Sequence, residues 1–291
     1  MSKIKDQMEI DREFNDKELE SSEPRYEYID ENKKHLHTYN KKPLLGTSTV
    51  VGVIAKPLTW WASGLACEKL GWMNKGNATK GWAKKEDRLA SALLMQNKIK
   101  SMSMDEYLEL LDDAYKAHSV KLDTSATAGT DMHAELEKYV KLMITDQGGQ
   151  PMLMNGYENK AVEQFAIWSI ENVAEFLYSE ANCYSARLWV GGISDVGARL
   201  KDGRHVIIDF KSSKEAYTSQ FIQCAGYAIQ LEENNILDST GYVQGIVDWK
   251  FDGVIIFPFG ADKVEPQAKW NMEELKQGFE SAVTLYKLTN N

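Results

Sequence analysis

Two aspartates and a lysine near residue 200 have the types and spacing of a metal-dependent catalytic site. Asp195 ends the segment GGISD, and Asp209 and Lys211 lie in IIDFK, directly after an apolar run. Side chains alternate between the two faces of a strand, so Asp209 and Lys211 share one face. Paired carboxylates bind a divalent cation, and a nearby ammonium offsets negative charge on a phosphoryl oxygen.

The turn between these segments determines the strand register, and the register decides whether the two aspartates lie on the same face. Lys201-Asp202-Gly203 is typical of a three-residue hairpin loop, whose third position prefers glycine. Leu200 then pairs with Arg204, and Asp195 lies opposite Asp209 on the same face, with Cβ atoms on the order of 5 Å apart. A two-residue loop would place the two carboxylates on opposite faces. The register is therefore part of the hypothesis.

A cation resolves the repulsion between two such carboxylates. Carboxylates that face each other between apolar neighbours lose hydration and repel, unless a proton or a metal ion is bound. Oxygen ligands favour magnesium, with manganese as the alternative ion, and either lowers the pKa of a bound water. The competing interpretation treats Asp195 and Asp209 as ordinary strand-end carboxylates and Lys211 as their surface partner, since short motifs also match by chance.

Four ordered motifs resemble the RecB-like branch of the PD-(D/E)xK nucleases. GGISD and IIDFK correspond to its G-x-x-D and D-x-K motifs, residues 223–227 to Q-x-x-x-Y, and AGTDMHAELE to its upstream helix motif. Residues 47–72 resemble the amino-terminal portion of phage-type and mitochondrial-genome-maintenance-type exonucleases. The resemblance spans roughly residues 25–290. It implies an α/β restriction-endonuclease-like core, a mixed β-sheet flanked by helices, with an N-terminal helical subdomain.

The resemblance also implies roles for individual residues. Asp195, Asp209 and Lys211 would be catalytic, and the metal ligands would be His133, Asp195, Asp209 and the backbone carbonyl of Phe210. Gln223 and Tyr227 would contact DNA near the scissile phosphate, although a capped core tyrosine is the alternative. Ser212 and Ser213 would donate to phosphate oxygens or simply end the strand. Glu137, one helical turn after His133, would orient that ring or a water, or face solvent.

The function that this resemblance implies is metal-dependent hydrolysis of DNA. The expected substrate is single-stranded DNA or DNA with free ends, and the expected context is replication, recombination or repair, with proteins of those processes as partners. The preference for an exonuclease rests on the resemblance alone. Two alternatives stay open, namely a catalytically weak DNA-binding accessory protein of recombination and an RNase with the same core.

The distribution of charge indicates where DNA would bind. The chain carries a net charge of -9, yet residues 41–100 hold eleven Lys/Arg against three Asp/Glu, a net charge of +8. Lysines of this segment, among them Lys75, Lys80, Lys84 and Lys85, are candidates for phosphate contacts. Its tryptophans would be base platforms or, as the sequence favours, core residues. These are Trp60, Trp61, Trp72 and Trp82.

The cysteines and the overall composition exclude several classes of protein. Three scattered cysteines support neither a disulfide framework nor the four-cysteine iron–sulfur cluster of CRISPR-associated RecB-like nucleases, so we expect no such cluster and three buried thiols. The sequence contains no apolar run of about 18 residues, so it predicts no membrane span, and the charged amino terminus does not resemble a signal peptide. The sequence therefore predicts a cytoplasmic protein without a membrane partner, in the host cytoplasm if phage-encoded.

Periodicity predicts how the chain is organised. Residues 1–22 are expected to be a mobile acidic tail, residues 23–128 a hairpin and basic helical region, and residues 129–291 the nuclease core. Expected helices cover 58–73, which should be buried, then 80–100, 103–118, a helix from about residue 130, and 158–179, 217–232 and 271–288. Strands are expected at 25–30, 35–39, 184–200, 204–211 and 251–259.

Overall fold

The computed structural model describes residues 25–31, 34–55, 59–73, 83–154, 156–157, 159–260 and 264–290, without the side chains of residue 123 and residues 125–131. The tail predicted for residues 1–22 lies outside the described residues, as do Lys75, Lys80 and Trp82.

The described elements in chain order are β1 (Tyr26–Glu31), β2 (Lys34–Tyr39), β3 (Lys42–Pro43), β4 (Leu45–Gly46), α1 (Thr47–Val51), a 3₁₀ turn (Gly52–Ile54), α2 (Thr59–Lys69), α3 (Lys85–Lys100), α4 (Met104–Gln147), α5 (Lys160–Asn172), β5 (Val173–Ser185), β6 (Val190–Leu200), β7 (His205–Lys211), α6 (Thr218–Asn234), β8 (Ile236–Leu237), β9 (Val243–Gly245), β10 (Gly253–Pro258), β11 (Gln267–Lys269) and α7 (Met272–Thr289).

The chain divides into two compact units. The first, which we call the sheet unit, comprises Met1–Ile54 and Met132–Asn291, and the second, the helical unit, comprises Ala55–Asp131. The predicted β1–β2 hairpin is present, but it belongs with the sheet rather than with the basic helices. Two contacts explain this: β4 pairs in parallel with β6, and the Tyr28 N–H donates to the Ser239 carbonyl at 2.7 Å.

The sheet unit is α/β, with a mixed sheet flanked by helices. Its strand order is β11-β10-β7-β6-β5-β8-β9, with β4 added to β6, and a separate small sheet has the order β1-β2-β3. The central strands β7 and β10 run parallel, with α6 between them in the chain. Every residue of β10 is buried, as is the centre of β7. Such continuous apolar runs are typical of parallel strands covered on both faces.

The β6–β7 hairpin confirms the predicted register. Its pairs run from Arg199 opposite His205 to Val196 opposite Ile208. The Leu200 N–H donates to the Arg204 carbonyl at 2.8 Å, and Gly203 has the positive φ of +92° that the third loop position requires. Continuing the pairing by one residue places Asp195 opposite Asp209.

Two apolar clusters hold the sheet between its helices. One lies between the sheet and the helices α4 and α5, and it contains Leu136, Phe165, Phe176, Phe210 and Phe257 among other residues. The second packs the opposite face against α6 and α7, with Ile207, Phe221, Leu231, Ile256 and Leu275 as representative members. Strand β7 therefore contributes residues to both clusters, and β6 contributes residues to the first.

The hairpin is joined to the sheet through a buried histidine. The Tyr26 hydroxyl and His37 Nδ1 are 2.7 Å apart, and the Tyr26 ring stacks on Tyr184 of β5. Glycine is required at position 191 in β6, because a Cβ there would lie 2.7 Å from the Cβ of His37. Burial lowers the pKa of His37 to about 4, so the ring is neutral in the folded protein near neutral pH.

We expect His37 to make the protein sensitive to acid. The folded-state pKa lies below the unfolded value of 6.5, so its contribution to stability is present above about pH 6.5 and is lost as pH falls towards about 4. Between pH 7 and pH 4.5 this loss amounts to about 2 kcal/mol. Urea unfolding across this range should show a smaller acid effect in His37→Gln than in wild type. The exposed His35→Gln is the control, and an acid effect that both variants retain in full would contradict the assignment.

The helical unit contains the predicted helices but not the predicted burial. The segment expected as a buried helix contains α2. Every residue of α2 is described and none of them is buried, and Trp60 is 90% exposed. Apolar residues occur on all sides of this segment, so periodicity identified a helix without identifying an inward face. The prediction of a core position is therefore wrong for Trp60 and for Trp61, which is 37% exposed. Trp72 is half-buried, with the Arg88 guanidinium 5.7 Å from its ring centre. Cys67 is likewise exposed, contrary to prediction, while Cys183 and Cys224 are buried as predicted.

Two helix boundaries also differ from prediction. The helices expected at 103–118 and from residue 130 form one 44-residue helix, α4. Glu106 bonds the Ser103 N–H at 2.7 Å and so caps its start, whereas Gly129 and Thr130 lie inside it. The helix expected at 158–179 ends at Asn172, where β5 begins. β5 pairs with β6 over almost its whole length, and this long-range pairing overrides the local helical pattern.

No single helix among the described residues is long and apolar enough to cross a membrane. Among the same residues, one pair of short segments, Thr47–Ile54 and Thr59–Lys69, meets the length and composition criteria when the two are taken together.

Candidate metal centre

The motif aspartates lie where the β6–β7 ladder opens. The last paired residues are Val196 and Ile208, and Phe210 then directs its backbone groups towards β6. Its N–H donates to Asp195 Oδ2 at 2.9 Å. Its carbonyl accepts a hydrogen bond from His133 Nε2 at 2.7 Å, which places the ring proton on that nitrogen. One residue of β7 thus brings Asp195 and His133 together through its backbone.

His133 reaches this point from helix α4. Its Nδ1 lies 3.8 Å from Asp195 Oδ2, and its ring meets the Phe210 ring edge to face at 5.7 Å. Met132 and Leu136 on the same helix belong to the apolar cluster beneath the sheet, which fixes this turn of the helix against β7. The sequence motif that suggested His133 therefore places it beside Asp195 and the Phe210 carbonyl.

Asp209 and Lys211 form a buried ion pair next to these groups. Asp209 is only 1% exposed, and Lys211 Nζ lies 2.7 Å from its Oδ2. Burial raises the pKa of Asp209 to about 6 despite the opposing effect of Lys211, and the charge of Asp195 adds to the rise. By distance and angle neither carboxylate oxygen of Asp209 accepts a well-formed hydrogen bond within the described part of the chain, and the buried Cys224 thiol contacts the same carboxylate.

Glu180 is a site residue that the sequence analysis missed. Its neighbours pair with β6 as Ser179 opposite Val196 and Ala181 opposite Ser194, so Glu180 lies opposite Asp195. It has a positive φ of +53°. Burial, followed by the charge of Asp195, raises the pKa of Glu180 to about 8. The signal in the sequence was a lone glutamate inside the strand-like FLYSEANCYS, which was assigned in part to a helix.

Three carboxylates therefore occupy one level of three adjacent strands. They are Glu180 of β5, Asp195 of β6 and Asp209 of β7. Ligand atoms of His133, Glu180 and Asp195 all lie within 4.8 Å of one another, and we call these three residues the metal cluster. Asp209 lies outside this group, with Oδ2 held by Lys211.

The donor set fits a hard divalent cation. Oxygen donors dominate, from Glu180 and Asp195, with one imidazole from His133, whereas the Phe210 carbonyl accepts a hydrogen bond from the His133 ring. Magnesium and manganese prefer such oxygen-rich sites. Burial and the neighbouring carboxylates raise the pKa values of Glu180 and Asp209, which is the direction expected where carboxylates are crowded without a bound cation.

The chain matches no protein-family model and no curated protein sequence.

Gln223 and Tyr227 form a hydrogen-bonded pair on α6. Gln223 Nε2 donates to the Tyr227 hydroxyl at 2.7 Å, and Tyr227 is buried. A Cβ at Gly192 would lie 2.6 Å from the Tyr227 ring, so the glycine of the G-x-x-D motif allows this ring to pack against β6. This geometry supports the capped core tyrosine, while Gln223 remains partly exposed.

The other residues that were predicted to contact DNA or to orient His133 lie in several parts of the structure. Ser213 Oγ donates to the Glu215 carbonyl at 2.8 Å and so stabilises the end of β7, while Ser212 is exposed. Glu137 forms an ion pair with Lys141 one turn further along α4. Lys84 and Lys85 are exposed at the start of α3 in the helical unit.

Replacing Glu180 with Gln should weaken the binding of divalent cations. The amide keeps the size of the side chain but removes a charged ligand, so the rise in melting temperature on adding magnesium or manganese should shrink. Without metal the variant should be at least as stable as wild type, because it no longer buries an ionisable group. Differential scanning fluorimetry with and without each ion measures both effects.

Glu175→Gln is the matched control for this variant. Glu175 lies on the same strand and pairs with Arg199 at the surface at 2.7 Å. Its substitution should leave the metal response unchanged. An equal metal response in all three proteins would exclude Glu180 from the metal cluster.

Proposed function

We propose that the protein is a divalent-metal-dependent nuclease that hydrolyses phosphodiester bonds. The observation that carries the proposal is the row of carboxylates Glu180, Asp195 and Asp209 on three adjacent strands, with Lys211 paired to the last of them. Acidic groups are rarely concentrated in an apolar setting unless a cation compensates them. A lysine beside such a site suits a substrate that develops negative charge during the reaction.

Each residue then has a chemical task. A bound magnesium or manganese ion would supply Lewis acidity for the phosphate and lower the pKa of a water. Lys211, held by Asp209, presents its ammonium at the site and stabilises negative charge on a phosphoryl oxygen. Asp195 and Glu180 supply anionic ligands, and the Phe210 backbone fixes Asp195 in place. Burial lowers the pKa of Lys211, but Asp209 and Asp195 outweigh it and raise that pKa well above its ordinary value, so Asp209 keeps Lys211 protonated.

The motifs support a more specific proposal, a PD-(D/E)xK nuclease of the RecB-like branch with a restriction-endonuclease-like core. The G-x-x-D and D-x-K motifs lie on paired strands, the histidine motif lies on a helix that reaches Asp195, and the Q-x-x-x-Y pair lies on the helix after β7. The mixed sheet flanked by helices is compatible with such a core. By the resemblance, the proposed substrate is DNA and the proposed mode is exonucleolytic.

A single set of incubations tests the proposal. End-labelled single-stranded DNA, duplex DNA and RNA are incubated with the protein in magnesium, manganese or chelator, and the products are resolved by length. We expect metal-dependent shortening of DNA from an end. Cleavage of RNA alone would favour the RNase alternative, and no cleavage of any substrate with either metal would favour the accessory protein. A circular single strand that is cut as fast as a linear one would contradict the exonucleolytic mode.

The exposed lysines of α3 are expected to hold the DNA backbone. Changing both Lys84 and Lys85 to Gln should weaken binding to single strands of any sequence and lower the salt dependence by about 0.7 in slope for each lost contact. Binding is measured in calcium, to limit turnover, across a salt series. Lys160→Gln, at the exposed start of α5, is the control. Parallel salt slopes with equal affinities would show that Lys84 and Lys85 only face solvent.

A further inference from the structure

A cleft of about 620 Å³ borders the metal cluster within the sheet unit. Glu180 forms part of its wall. The other walls come from the end of α4, from β5, and from β8 and β9, with Ile144, Leu177, Ile236 and Gln244 as representatives. The cleft therefore begins at the metal cluster and extends along the side of the sheet that β8 and β9 complete. Its volume is within the range of sites that bind small organic ligands.

The charged groups in the walls are engaged elsewhere. Lys141 forms an ion pair with Glu137 on the same helix. The carboxylate of Asp238 accepts hydrogen bonds from the backbone and side chain of Thr240, from the Tyr242 N–H and from Gln244. Apart from Glu180 at the metal cluster, the cleft thus offers neutral surfaces to a ligand.

Three neutral polar groups in the walls have hydrogen-bonding capacity to spare. The Ser179 hydroxyl is buried and has no partner among the described residues. Asn182 uses its oxygen to accept from the Tyr26 hydroxyl at 3.3 Å, which leaves its amide nitrogen to donate. Gln244 uses its nitrogen to donate to Asp238 at 3.1 Å, which leaves its oxygen to accept.

A ligand that satisfies this arrangement has two parts. Its anionic part belongs at the metal cluster, where a cation compensates the carboxylates, and its neutral part belongs in the cleft. The neutral part must be partly apolar and must carry both donors and acceptors along an edge. A nucleoside joined to its phosphate has this composition. The one described cation in the walls, Lys141, is already paired with Glu137, so a free anion would gain little in the cleft itself.

We infer that this cleft binds the nucleoside next to the cleaved phosphate, with Ser179, Asn182 and Gln244 contacting the base. The inference rests on the proposed function and specifies a base-binding subsite for it. Such a subsite makes the reaction depend on the base beside the cleaved bond and not only on the phosphate backbone.

Binding of mononucleotides tests the cleft without any need for turnover. In calcium, a deoxynucleoside 5′-monophosphate should bind at least about tenfold more tightly than deoxyribose 5-phosphate, measured by calorimetry, because only the former has a base. The double variant Ser179→Ala/Gln244→Ala should lose most of this difference. Gln267→Ala, an exposed glutamine on the edge strand β11, should retain it. Equal binding of the two ligands by the wild-type protein would overturn the inference.

Cleavage of abasic substrates gives the second measurement. Single strands that carry one tetrahydrofuran abasic site, moved by one nucleotide at a time, should be cleaved about tenfold more slowly when that site adjoins the cleaved bond. The double variant should show little difference between abasic and normal strands. Uniform rates in the wild-type protein would overturn the inference while leaving the nuclease proposal intact. Nucleotide binding without any cleavage would contradict the nuclease proposal and leave the cleft as a nucleotide-binding site.

Discussion

Replacing Asp195 with Asn is expected to reduce metal-dependent cleavage about a thousandfold or more. Asp195 has the central position among the carboxylates, between Glu180 and Asp209, and it contacts both the Phe210 N–H and His133. The amide keeps the size of the side chain and can still accept from Phe210, so the fold should persist. It no longer supplies the negative charge that holds a divalent cation, and losses of this size are typical when such stabilisation is removed.

Asp202→Asn is the matched control for this variant. Asp202 lies in the loop of the same hairpin, is exposed, and bonds only Arg204 among the described residues. Single-turnover cleavage of end-labelled DNA measures the rate, and urea unfolding confirms that each variant folds. If Asp195→Asn cleaved within tenfold of wild type, the three-carboxylate row would not be the catalytic centre.

The second large effect concerns the aromatic cluster beneath the site. Phe165 of α5 is fully buried, and its ring meets Phe210 at 5.0 Å and Phe257 at 5.1 Å, in both cases edge to face. Phe165→Ala should lower the free energy of unfolding by about 3–5 kcal/mol, because it removes a large buried side chain and leaves a cavity. It should also loosen Phe210, whose backbone holds Asp195 and His133.

Ile167→Ala provides the comparison on the same helix. Ile167 is 45% exposed, so its truncation should change the free energy of unfolding by no more than about 1 kcal/mol. Urea denaturation of both variants and of wild type gives the two differences. A Phe165→Ala variant as stable as Ile167→Ala would show that the aromatic cluster is not tightly packed.

The part of the site that the sequence predicted depends on local rules. The β6–β7 register follows from a three-residue loop with glycine at its third position, and strand alternation then places Asp195, Asp209 and Lys211. These rules connect residues that are close in the chain. His133 is distant from them in sequence, and only the resemblance of its helix motif led to it.

Glu180 was missed because its position depends on long-range pairing. Residues 160–172 have a helical pattern, and the apolar residues that follow continue that pattern far enough to hide the start of β5. Nothing local shows that Glu180 faces Asp195, since that contact requires the β5–β6 register, which includes two irregularities. The cleft beside Glu180 was equally inaccessible to prediction, because its walls come from four separate elements.

The sequence also could not predict which residues of the helical unit are buried. Helical spacing predicted α2 and α3 correctly as helices, but the hydrophobic residues of α3 include the exposed Leu89, Leu93 and Leu94. Periodicity reports which residues share a face, and it does not report whether another element covers that face.

The backbone of Glu180 implies a conflict between thermostability and the proposed metal-dependent activity. A non-glycine residue in the left-handed region costs on the order of 1 kcal/mol or more, and a buried carboxylate adds to that cost. Glycine or asparagine would adopt the same φ of +53° with less strain. Directed evolution for heat resistance alone should therefore replace Glu180 early and yield proteins that are more stable but bind metal poorly. Selection that alternates heat challenge with cleavage should instead retain Glu180 and accumulate its stabilising changes elsewhere.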